Sequence, residues 1–285
     1  MSEKPVALVS GCSSGVGLHT AVRLAQAGYA VVATMRDMSR RVALDEAGAA
    51  AGVVPEVAPL DVADAASIAA CVSGAIARHG RIDVLVNNAG AGFLGSLEQT
   101  SEADLRRTME VNFFGVWNLT KAVVPQMRAQ GSGRIVSVTS VGGLLGQPFN
   151  EAYCAAKFAV EGMMEGFAPL ARQMGITVAL VEPGPINTEF VASARSSSAA
   201  SIGAMAAPYD ALAANYMRAM GGVFAEHGQT GDEVAEIVVA VATADQPDFR
   251  NVTSAFARAM VTPKVVDFTG NNVVDAFAAR LSGRA

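Results

Sequence analysis

An apolar strand, a glycine-rich turn and a helix follow one another without interruption near the start of the chain. The strand is predicted at Val6–Ser10 and the helix at Val16–Gln26, with the spacing G-x-x-x-G-x-G at their junction. Glycines there let the backbone turn tightly and approach a ligand, while amides at the helix start can bind a pyrophosphate. A plain turn is the alternative, but in a first strand–helix unit we expect a dinucleotide site. The candidate contacts are Gly11, Ser13, Ser14, Gly15, Val16 and Gly17.

Strands and helices alternate along the rest of the chain. This alternation predicts an α/β fold, a doubly wound parallel sheet of about seven strands with ligands at the carboxyl ends of the strands. No repeat or linker marks a second domain, so we predict one domain over residues 1–285. The predicted strands are 6–10, 30–35, 53–59, 82–86, 176–181, 249–253 and one that begins at 134. The predicted helices are 16–26, 39–50, 65–79, 101–127, 153–174, 208–224 and 230–241, with a polar tail after 253.

The end of the second predicted strand indicates which dinucleotide would bind. Residues at this position meet the adenosine ribose, where an acidic side chain accepts from the 2′-hydroxyl and an arginine can pair with a 2′-phosphate. Arg36 comes first and Asp37 follows it. Adjacent side chains on an extended segment face opposite sides, so we expect Asp37 to point away. A surface arginine with an acidic neighbour is the alternative, but the pattern favours NADP(H) over NAD.

Polar and small residues follow other predicted strands at the same edge of the sheet. The adenine would lie beside the residues that follow the third strand. After the fourth strand, asparagine amides can tie neighbouring strands together, and small residues let a nucleotide lie against the backbone. A plain turn has the same composition and is the alternative. Two prolines and a glycine end the strand at 176–181. The candidate contacts are Asp61 and Val62; Asn87, Ala89 and Gly90; and Pro183, Gly184, Ile186 and Thr188.

Three polar side chains are predicted to meet near the end of the strand that begins at Arg134. Ser140 ends that strand, and Tyr153 and Lys157 stand four residues apart on a predicted helix. Residues at i and i+4 share one helical face, and a nearby cation lowers the pKa of a phenol from about 10. The group could pass a proton to or from an alcohol or carbonyl oxygen. Tyr-x-x-x-Lys alone is a weak signal, since a helix with one snorkelling lysine also shows it.

Asn112 lies among Phe and Val residues within the predicted helix 101–127. Asparagine is a poor residue for a helix interior, and a buried amide needs hydrogen-bond partners. It is therefore either a structural hydrogen bonder or a residue near the site.

Residues 189–230 differ in composition from the rest and are predicted to form a lid over the substrate. The stretch 192–205 is rich in small residues and predicted to be mobile, whereas 208–224 predicts an amphipathic helix. Methionines and aromatics at helical spacing belong either to a substrate wall or to the core. Those residues are Tyr209, Leu212, Tyr216, Met217, Met220 and Phe224.

Composition excludes several classes of function. Charged residues make up 16% and apolar residues 51%, which is typical of a soluble, well-buried domain. A net charge of −5 gives no reason to expect nucleic acid or an anionic membrane as partner. No apolar run has the length of a membrane span, and no leader is expected before the first strand. Cys12, Cys71 and Cys154 form neither a disulfide framework nor a metal-ligand spacing, so we expect a reducing cytoplasm and no metal.

Taken together these motifs resemble the short-chain dehydrogenase/reductase family over Pro5–Thr188. The matching stretches are SGCSSGVG, NNAG, Asn112, Ser140, the Tyr153/Lys157 pair and PGPINT. GCSSGVGLHTAVRLA, ATMRD, SVGGLLGQPFNEAYCAAKFAVEG and VFAEHGQTGDEVAEIV resemble more closely the branch that contains 17β-hydroxysteroid dehydrogenase type 1 and the retinol dehydrogenases. The likeness weakens between Phe190 and Tyr216, where the substrate would be chosen.

The resemblance implies a Rossmann fold and an NADP(H)-dependent reaction between a secondary alcohol and a ketone. It makes Tyr153 the general acid of reduction and the base of oxidation, with Lys157 lowering its pKa and binding the nicotinamide ribose. Ser140 would hydrogen-bond the substrate oxygen, and Asn112 would hold a water that links Lys157 to solvent. Residues 183–188 would clasp the nicotinamide carboxamide. The implied substrates are bulky lipophilic compounds such as steroids or retinoids.

Two alternative functions and an oligomeric state also have to be considered for a chain with this resemblance. A reductase of carrier-bound 3-oxoacyl or polyketide chains shares the catalytic residues and should carry a basic patch, for which we find only Arg106, Arg107, Lys121 and Arg128. A non-catalytic NADP-binding sensor should have lost a catalytic residue, whereas this chain keeps all four. The family commonly pairs its two long helices, here about 101–128 and 153–174, so we expect a homodimer or homotetramer.

Overall fold

A parallel sheet of seven strands forms the centre of the described structure. The computed structural model describes residues 4–189, 196, 198, 205–266, 271 and 279. The strands are β1 (Val6–Val9), β2 (Ala30–Met35), β3 (Glu56–Pro59), β4 (Val84–Asn87), β5 (Gly133–Val138), β6 (Ile176–Glu182), β7 (Ile186–Asn187), β8 (Gln229–Thr230) and β9 (Arg250–Val252). Their order in the main sheet is β3-β2-β1-β4-β5-β6-β9, all parallel, and β7 pairs with β8 apart from it.

Helices cover both faces of this sheet. They are α1 (Gly15–Gln26), α2 (Val42–Ala50), α3 (Ala65–His79), α4 (Glu102–Met109), α5 (Gly115–Gln130), α6 (Glu151–Arg172), α7 (Tyr209–His227), α8 (Gly231–Thr243) and α9 (Ala255–Val266), with 3-10 turns at Met38–Arg41 and Val141–Gly143. On β1, Val6 and Leu8 pack with α3, α5 and α6, whereas Ala7 and Val9 pack with α1 and α8. Burial on both sides explains why the strand is apolar throughout. The predicted doubly wound fold is confirmed.

The helix predicted at 101–127 is divided by a π-helical turn, Glu110–Phe114, between α4 and α5. Asn112 lies in this turn, and its side-chain amide donates to the carbonyl of Thr108, 2.9 Å away. In a regular helix that carbonyl would accept from the backbone amide of Asn112. The side chain therefore takes part in the backbone hydrogen-bond ladder, and turns of this kind are frequent at functional sites.

The prediction of a polar tail after 253 was wrong, because α9 begins at Ala255. Only Ala257 and Val261 of this helix are fully buried, and Pro263 lies within its last turn. A helix with so narrow a buried stripe has a weak periodic signal in the sequence. It packs against the 3-10 turn after β5 and so helps to enclose the site.

The lid region is described only in part. Helix α7 confirms the helix predicted at 208–224, but within 192–205 only residues 196, 198 and 205 are described. The prediction that 192–205 is mobile therefore lies outside the described residues. Within the ranges given above, no helix combines the length and apolar character that crossing a membrane requires.

Candidate active site

A cleft of about 640 Å³ runs along the carboxyl edge of the sheet. Ligands bind at this edge in doubly wound folds. It is lined by seventeen of the twenty candidate residues: Gly11, Ser13, Ser14, Gly15, Val16, Arg36, Asp61, Val62, Ala89, Gly90, Ser140, Tyr153, Lys157, Pro183, Gly184, Ile186 and Thr188. The other three candidates do not line the cleft but lie behind its wall and support it: Gly17, Asn87 and Asn112.

The glycine-rich turn is shaped to let a ligand approach the backbone. Gly11 has φ +75, and a Cβ there would lie 2.8 Å from Cα of Ala89. A Cβ on Gly17 would collide with the carbonyl of Gly11 and the amide of Asn88, so Gly17 allows close packing instead of contacting a ligand. Ser14 precedes α1 in extended conformation without capping it by its side chain. The helix start therefore keeps its amides for an anion, and this cradle fits a dinucleotide pyrophosphate.

The two asparagines after β4 have different tasks. Asn87 is buried, and its amide donates to the hydroxyls of Thr120 (3.0 Å) and Ser137 (3.2 Å), tying β4 to α5 and β5. Asn88, which sequence reasoning passed over as a contact, lines the cleft. Its amide donates to the carbonyls of Ser10 (2.9 Å) and Gly11 (3.0 Å). Asn88 thus fixes the glycine-rich turn, while Asn87 serves the strand-tying role expected of these amides.

Asn112 supports the catalytic end of the cleft from behind. Its carbonyl oxygen accepts from the amide of Ala91 (3.1 Å), and its amide donates to the carbonyl of the same residue (2.8 Å). A Cβ on Gly90 would lie 3.0 Å from the Asn112 oxygen and 3.8 Å from Nζ of Lys157. Asn112 and Lys157 therefore lie on the same side of Gly90.

Ser140, Tyr153 and Lys157 meet at one end of the cleft. Tyr153 is hydrogen-bonded to Ser140, whose hydroxyl also accepts from the amide of Gly142 at 2.9 Å. Lys157 Nζ donates to the carbonyl of Val138 (3.1 Å) and lies 5.7 Å from the centroid of the Tyr153 ring. The helical spacing and the strand end predicted this convergence.

Burial dominates the electrostatics of these groups. It raises the pKa of the Tyr153 phenol above its ordinary value, and the hydrogen bond with Ser140 opposes it. Burial lowers the pKa of Lys157 to about 8, and the charge of Glu161 opposes that fall. The sequence predicted a lowered phenol pKa, and burial, which the spacing does not reveal, reverses the direction. At neutral pH Tyr153 is therefore a proton donor beside a largely protonated Lys157.

Arg36 lies at the opposite end, where β2 stops. The Asp37 carboxylate accepts from the amide (3.0 Å) and hydroxyl (2.7 Å) of Ser39, and these bonds are the first cause of its lowered pKa. Asp37 thus caps the following 3-10 turn, but it also lines the cleft, whereas the sequence predicted that it points away. Arg40, which the sequence did not single out, also lines the cleft and pairs with Glu189 at 2.6 Å.

The third part of the cleft is apolar. Met260 of α9 adds to a wall formed by α7, and Gln147 and Asn150 supply its amide groups. Tyr209 and Leu212 pack instead against the cluster around Val141 and Leu145. Tyr216 and Met220 line the cleft and also belong to that cluster, so the core and wall interpretations of α7 overlap in these two residues. The wall residues of α7 are Tyr216, Met217, Met220 and Phe224.

The parallel sheet, the phosphate cradle and the phenol–hydroxyl–ammonium group define an oxidoreductase that uses a nicotinamide coenzyme. Residues 5–199 match the model of the short chain dehydrogenase family, so the chain belongs to that family. It is therefore a short-chain dehydrogenase that acts on alcohol or ketone groups.

Relatives with assigned activities resemble nearly the whole chain. Retinol dehydrogenase 8 of Homo sapiens is 41% identical over 270 residues, covering 93% of this chain and 86% of that protein. The 17-beta-hydroxysteroid dehydrogenase type 1 of Homo sapiens is 37% identical over 286 residues, covering 98% and 87%. Among solved structures, a short chain dehydrogenase/reductase from Burkholderia phymatum in complex with NAD superposes with a TM-score of 0.80 at 26% identity, covering 95% of this chain and 97% of that one.

Proposed function

We propose that this protein is an NADP(H)-dependent oxidoreductase that interconverts a secondary alcohol and a ketone on a bulky lipophilic substrate. The observation that carries the proposal is the hydrogen-bonded Tyr153–Ser140 pair beside Lys157, which borders the apolar wall of the cleft. A carbonyl oxygen at this place would meet a hydroxyl and a phenol, both able to donate.

The residues divide the work between binding and proton transfer. The bound coenzyme supplies the hydride chemistry. The glycine-rich turn and the start of α1 would hold its pyrophosphate, Arg36 would pair with its 2′-phosphate, and residues 183–188 would hold its carboxamide. Tyr153 gives a proton to the substrate oxygen in reduction and takes it back in oxidation, and Ser140 holds that oxygen. Lys157 would bind the ribose and keep a positive charge behind the phenol.

The apolar wall supports a lipophilic substrate. Three methionines and two aromatic residues border it, and thioether side chains adapt to varied apolar shapes. The names of the two human relatives suggest steroid- or retinoid-like compounds as the first to test. Gln147 and Asn150 would hydrogen-bond a polar group on such a ring system. The wall residues are Tyr216, Met217, Met220, Phe224 and Met260.

A ketoreductase of carrier-bound chains is less well supported. It calls for a basic patch, yet Arg106 pairs with Glu102 and Arg107 pairs with Asp104 on α4, each at 2.6 Å. Paired charges offer little to an acidic carrier domain. A non-catalytic sensor has no observation in its favour, because the catalytic group is assembled.

The test is an NADPH-oxidation screen over steroid, retinoid, aromatic and thioester ketones, with NADH in parallel. We expect turnover on a steroid or retinoid ketone and a preference for NADPH. Turnover confined to thioesters would replace the proposal with the ketoreductase. Bound NADPH without turnover on any ketone would favour the sensor.

Arg36→Ala should weaken NADPH binding about ten- to a hundredfold and leave NADH binding nearly unchanged. The reason is that a guanidinium–phosphate pair is lost, whereas NADH presents only a hydroxyl there. Isothermal titration of both coenzymes measures the effect. Arg41→Ala is the matched control, because Arg41 is exposed and pairs with Asp45 on α2. Equal losses of affinity for the two coenzymes would show that Arg36 has a structural role. A wild-type protein that binds NADH more tightly than NADPH would show that Asp37, and not Arg36, determines the coenzyme preference.

We also propose a homodimer formed through α4, α5 and α6. Leu105, Phe114 and Trp117 are 40%, 43% and 47% exposed, and Phe158 on α6 is 37% exposed. Large apolar side chains grouped on neighbouring surface helices suit a partner surface.

Trp117→Glu should therefore shift the protein toward the 29.2 kDa monomer in light scattering after size exclusion. A charge placed in an apolar interface opposes association. Val54→Glu changes an exposed apolar residue between α2 and β3, outside these three helices, and serves as the comparison. A wild type that is already monomeric would end the proposal.

A further inference from the structure

A partly buried cluster of charges lies behind the helix that carries Tyr153 and Lys157. Arg250 of β9 donates to carboxylates of Glu161 and Glu165 on α6 and of Glu182 at the end of β6. The Arg250 bonds to Glu182 and Glu165 measure 2.8 and 2.6 Å. The Glu161 and Glu182 side chains are 5% and 0% exposed, whereas Glu165 is 66% exposed. One guanidinium thus serves two buried carboxylates.

The two buried carboxylates face each other. Within the described residues, Oε1 of Glu161 and Oε2 of Glu182 have no donor. Burial, followed by the charge of Glu161, raises the pKa of Glu182 to about 7. A proton on Glu182 relieves its repulsion with the Glu161 carboxylate near neutral pH.

This cluster joins the parts that carry the active site. Glu161 stands one helical turn after Lys157 on α6, and both side chains are buried. A Cβ on Gly143, in the turn that follows Ser140, would lie 2.9 Å from Cγ of Glu161 and 3.2 Å from the carbonyl of Lys157. Glu182 is the last residue before the segment 183–188. Glu161 therefore contacts the underside of the Ser140 turn while Arg250 holds it to β6 and β9.

We propose that Glu161 is a positioning residue for this reaction: its buried carboxylate, held by Arg250, stabilises the ammonium form of Lys157 one turn away. The inference rests on the proposed function, in which that ammonium binds the ribose and stands behind the phenol of Tyr153. A lysine in an apolar site loses its proton readily unless an anion stands near it.

Among the described residues, Glu161 is the anion that acts on Lys157. Burial lowers the pKa of Lys157 to about 8, and Glu161 is the charge that raises it. Two other elements near Lys157 present uncharged groups. The carbonyl of Val138 on β5 accepts a hydrogen bond from Lys157, and the π-helical turn contributes the neutral side chain of Asn112. The charges of α4 form surface pairs with one another. Other titratable groups nearby are Tyr153 and Cys154 on α6, Glu182 on β6, Arg250 on β9 and Lys264 on α9.

The test reads the lysine directly. The sequence contains only Lys4, Lys121, Lys157 and Lys264, so carbon-13 labelling of lysine resolves each side chain by NMR, with Lys157→Met for assignment. In Glu161→Gln we expect the midpoint of the Lys157 titration to fall by about one pH unit. The pH at which kcat for reduction declines on the alkaline side should fall by the same amount. Glu165→Gln, which removes another carboxylate from the same arginine at an exposed position, should leave both where they were.

An unmoved Lys157 titration in Glu161→Gln, or an equal shift in Glu165→Gln, overturns the proposal. Glu161→Gln should fold, because Arg250 keeps Glu182 and Glu165 as partners. If it does not, Glu161→Asp decides: its withdrawn carboxylate should give a smaller shift in the same direction, and no shift overturns the proposal. The titration needs neither coenzyme nor substrate. Its failure is therefore separate from a failure of the ketone screen.

Discussion

Tyr153→Phe should fold and bind NADPH like the wild type while losing turnover by about a hundredfold or more. The phenol is hydrogen-bonded to Ser140 and its pKa is raised by burial, so at neutral pH it holds the proton that a substrate oxygen needs. The substitution removes that proton and leaves the ring in place. Steady-state kinetics on a ketone found in the screen measures the loss, and fluorescence titration measures NADPH binding.

The matched control is Tyr29→Phe, the same change on a tyrosine that packs against the α1 side of the sheet. It should keep wild-type turnover. A Tyr153→Phe variant that retains more than about a tenth of the wild-type rate would remove Tyr153 from the proton transfer, because general acid catalysis contributes more than that. Loss of NADPH binding together with turnover would give the ring a structural role.

Arg250→Met should lower the free energy of unfolding by about 3 kcal/mol at pH 8. It leaves Glu161 and Glu182 buried without their cation, and burial of an unpaired charge is costly. Urea denaturation followed by circular dichroism measures the change. Arg41→Met removes an arginine from an exposed pair with Asp45 and should leave the free energy of unfolding nearly unchanged.

The cost of Arg250→Met should depend on pH in a defined direction. The pKa of Glu182 is raised in the folded protein, so its contribution to stability is full below the ordinary carboxyl pKa and is lost as the pH rises through about 7. Without the guanidinium Glu182 holds its proton more tightly, so the loss of stability continues to higher pH. The deficit of Arg250→Met should therefore be smaller at pH 6 than at pH 8. A deficit independent of pH would mean that packing alone is lost.

The sequence predicts those parts of the site whose residues are close along the chain or end a strand. Tyr153 and Lys157 share a helical face by spacing, and Ser140 follows an apolar strand, so their convergence needs no tertiary information. Asn87 and Asn88 are harder, because alternation along β4 decides which amide turns toward α5 and which toward the glycine-rich turn.

Other parts depend on contacts that the sequence does not reveal. Arg250 lies 68 residues from Glu182 and 89 from Glu161, and they meet only because β9 pairs with β6. The direction of the Tyr153 pKa shift depends on how much surrounding structure excludes water. Met260 reaches the substrate wall from a helix whose buried stripe was too narrow to predict.

The π-helical turn at Glu110–Phe114 also sets the rotational phase between α4 and α5. One additional residue turns everything after it by about 100° relative to an uninterrupted helix. Asn112 faces the loop after β4, while Trp117, a short distance on, faces outward. Removing one residue from this turn would bring the two helices into a single phase. Either Asn112 would then turn away from the loop after β4, or Trp117 would turn away from the surface. The inward position of the amide and the outward position of the tryptophan therefore depend on the same extra residue.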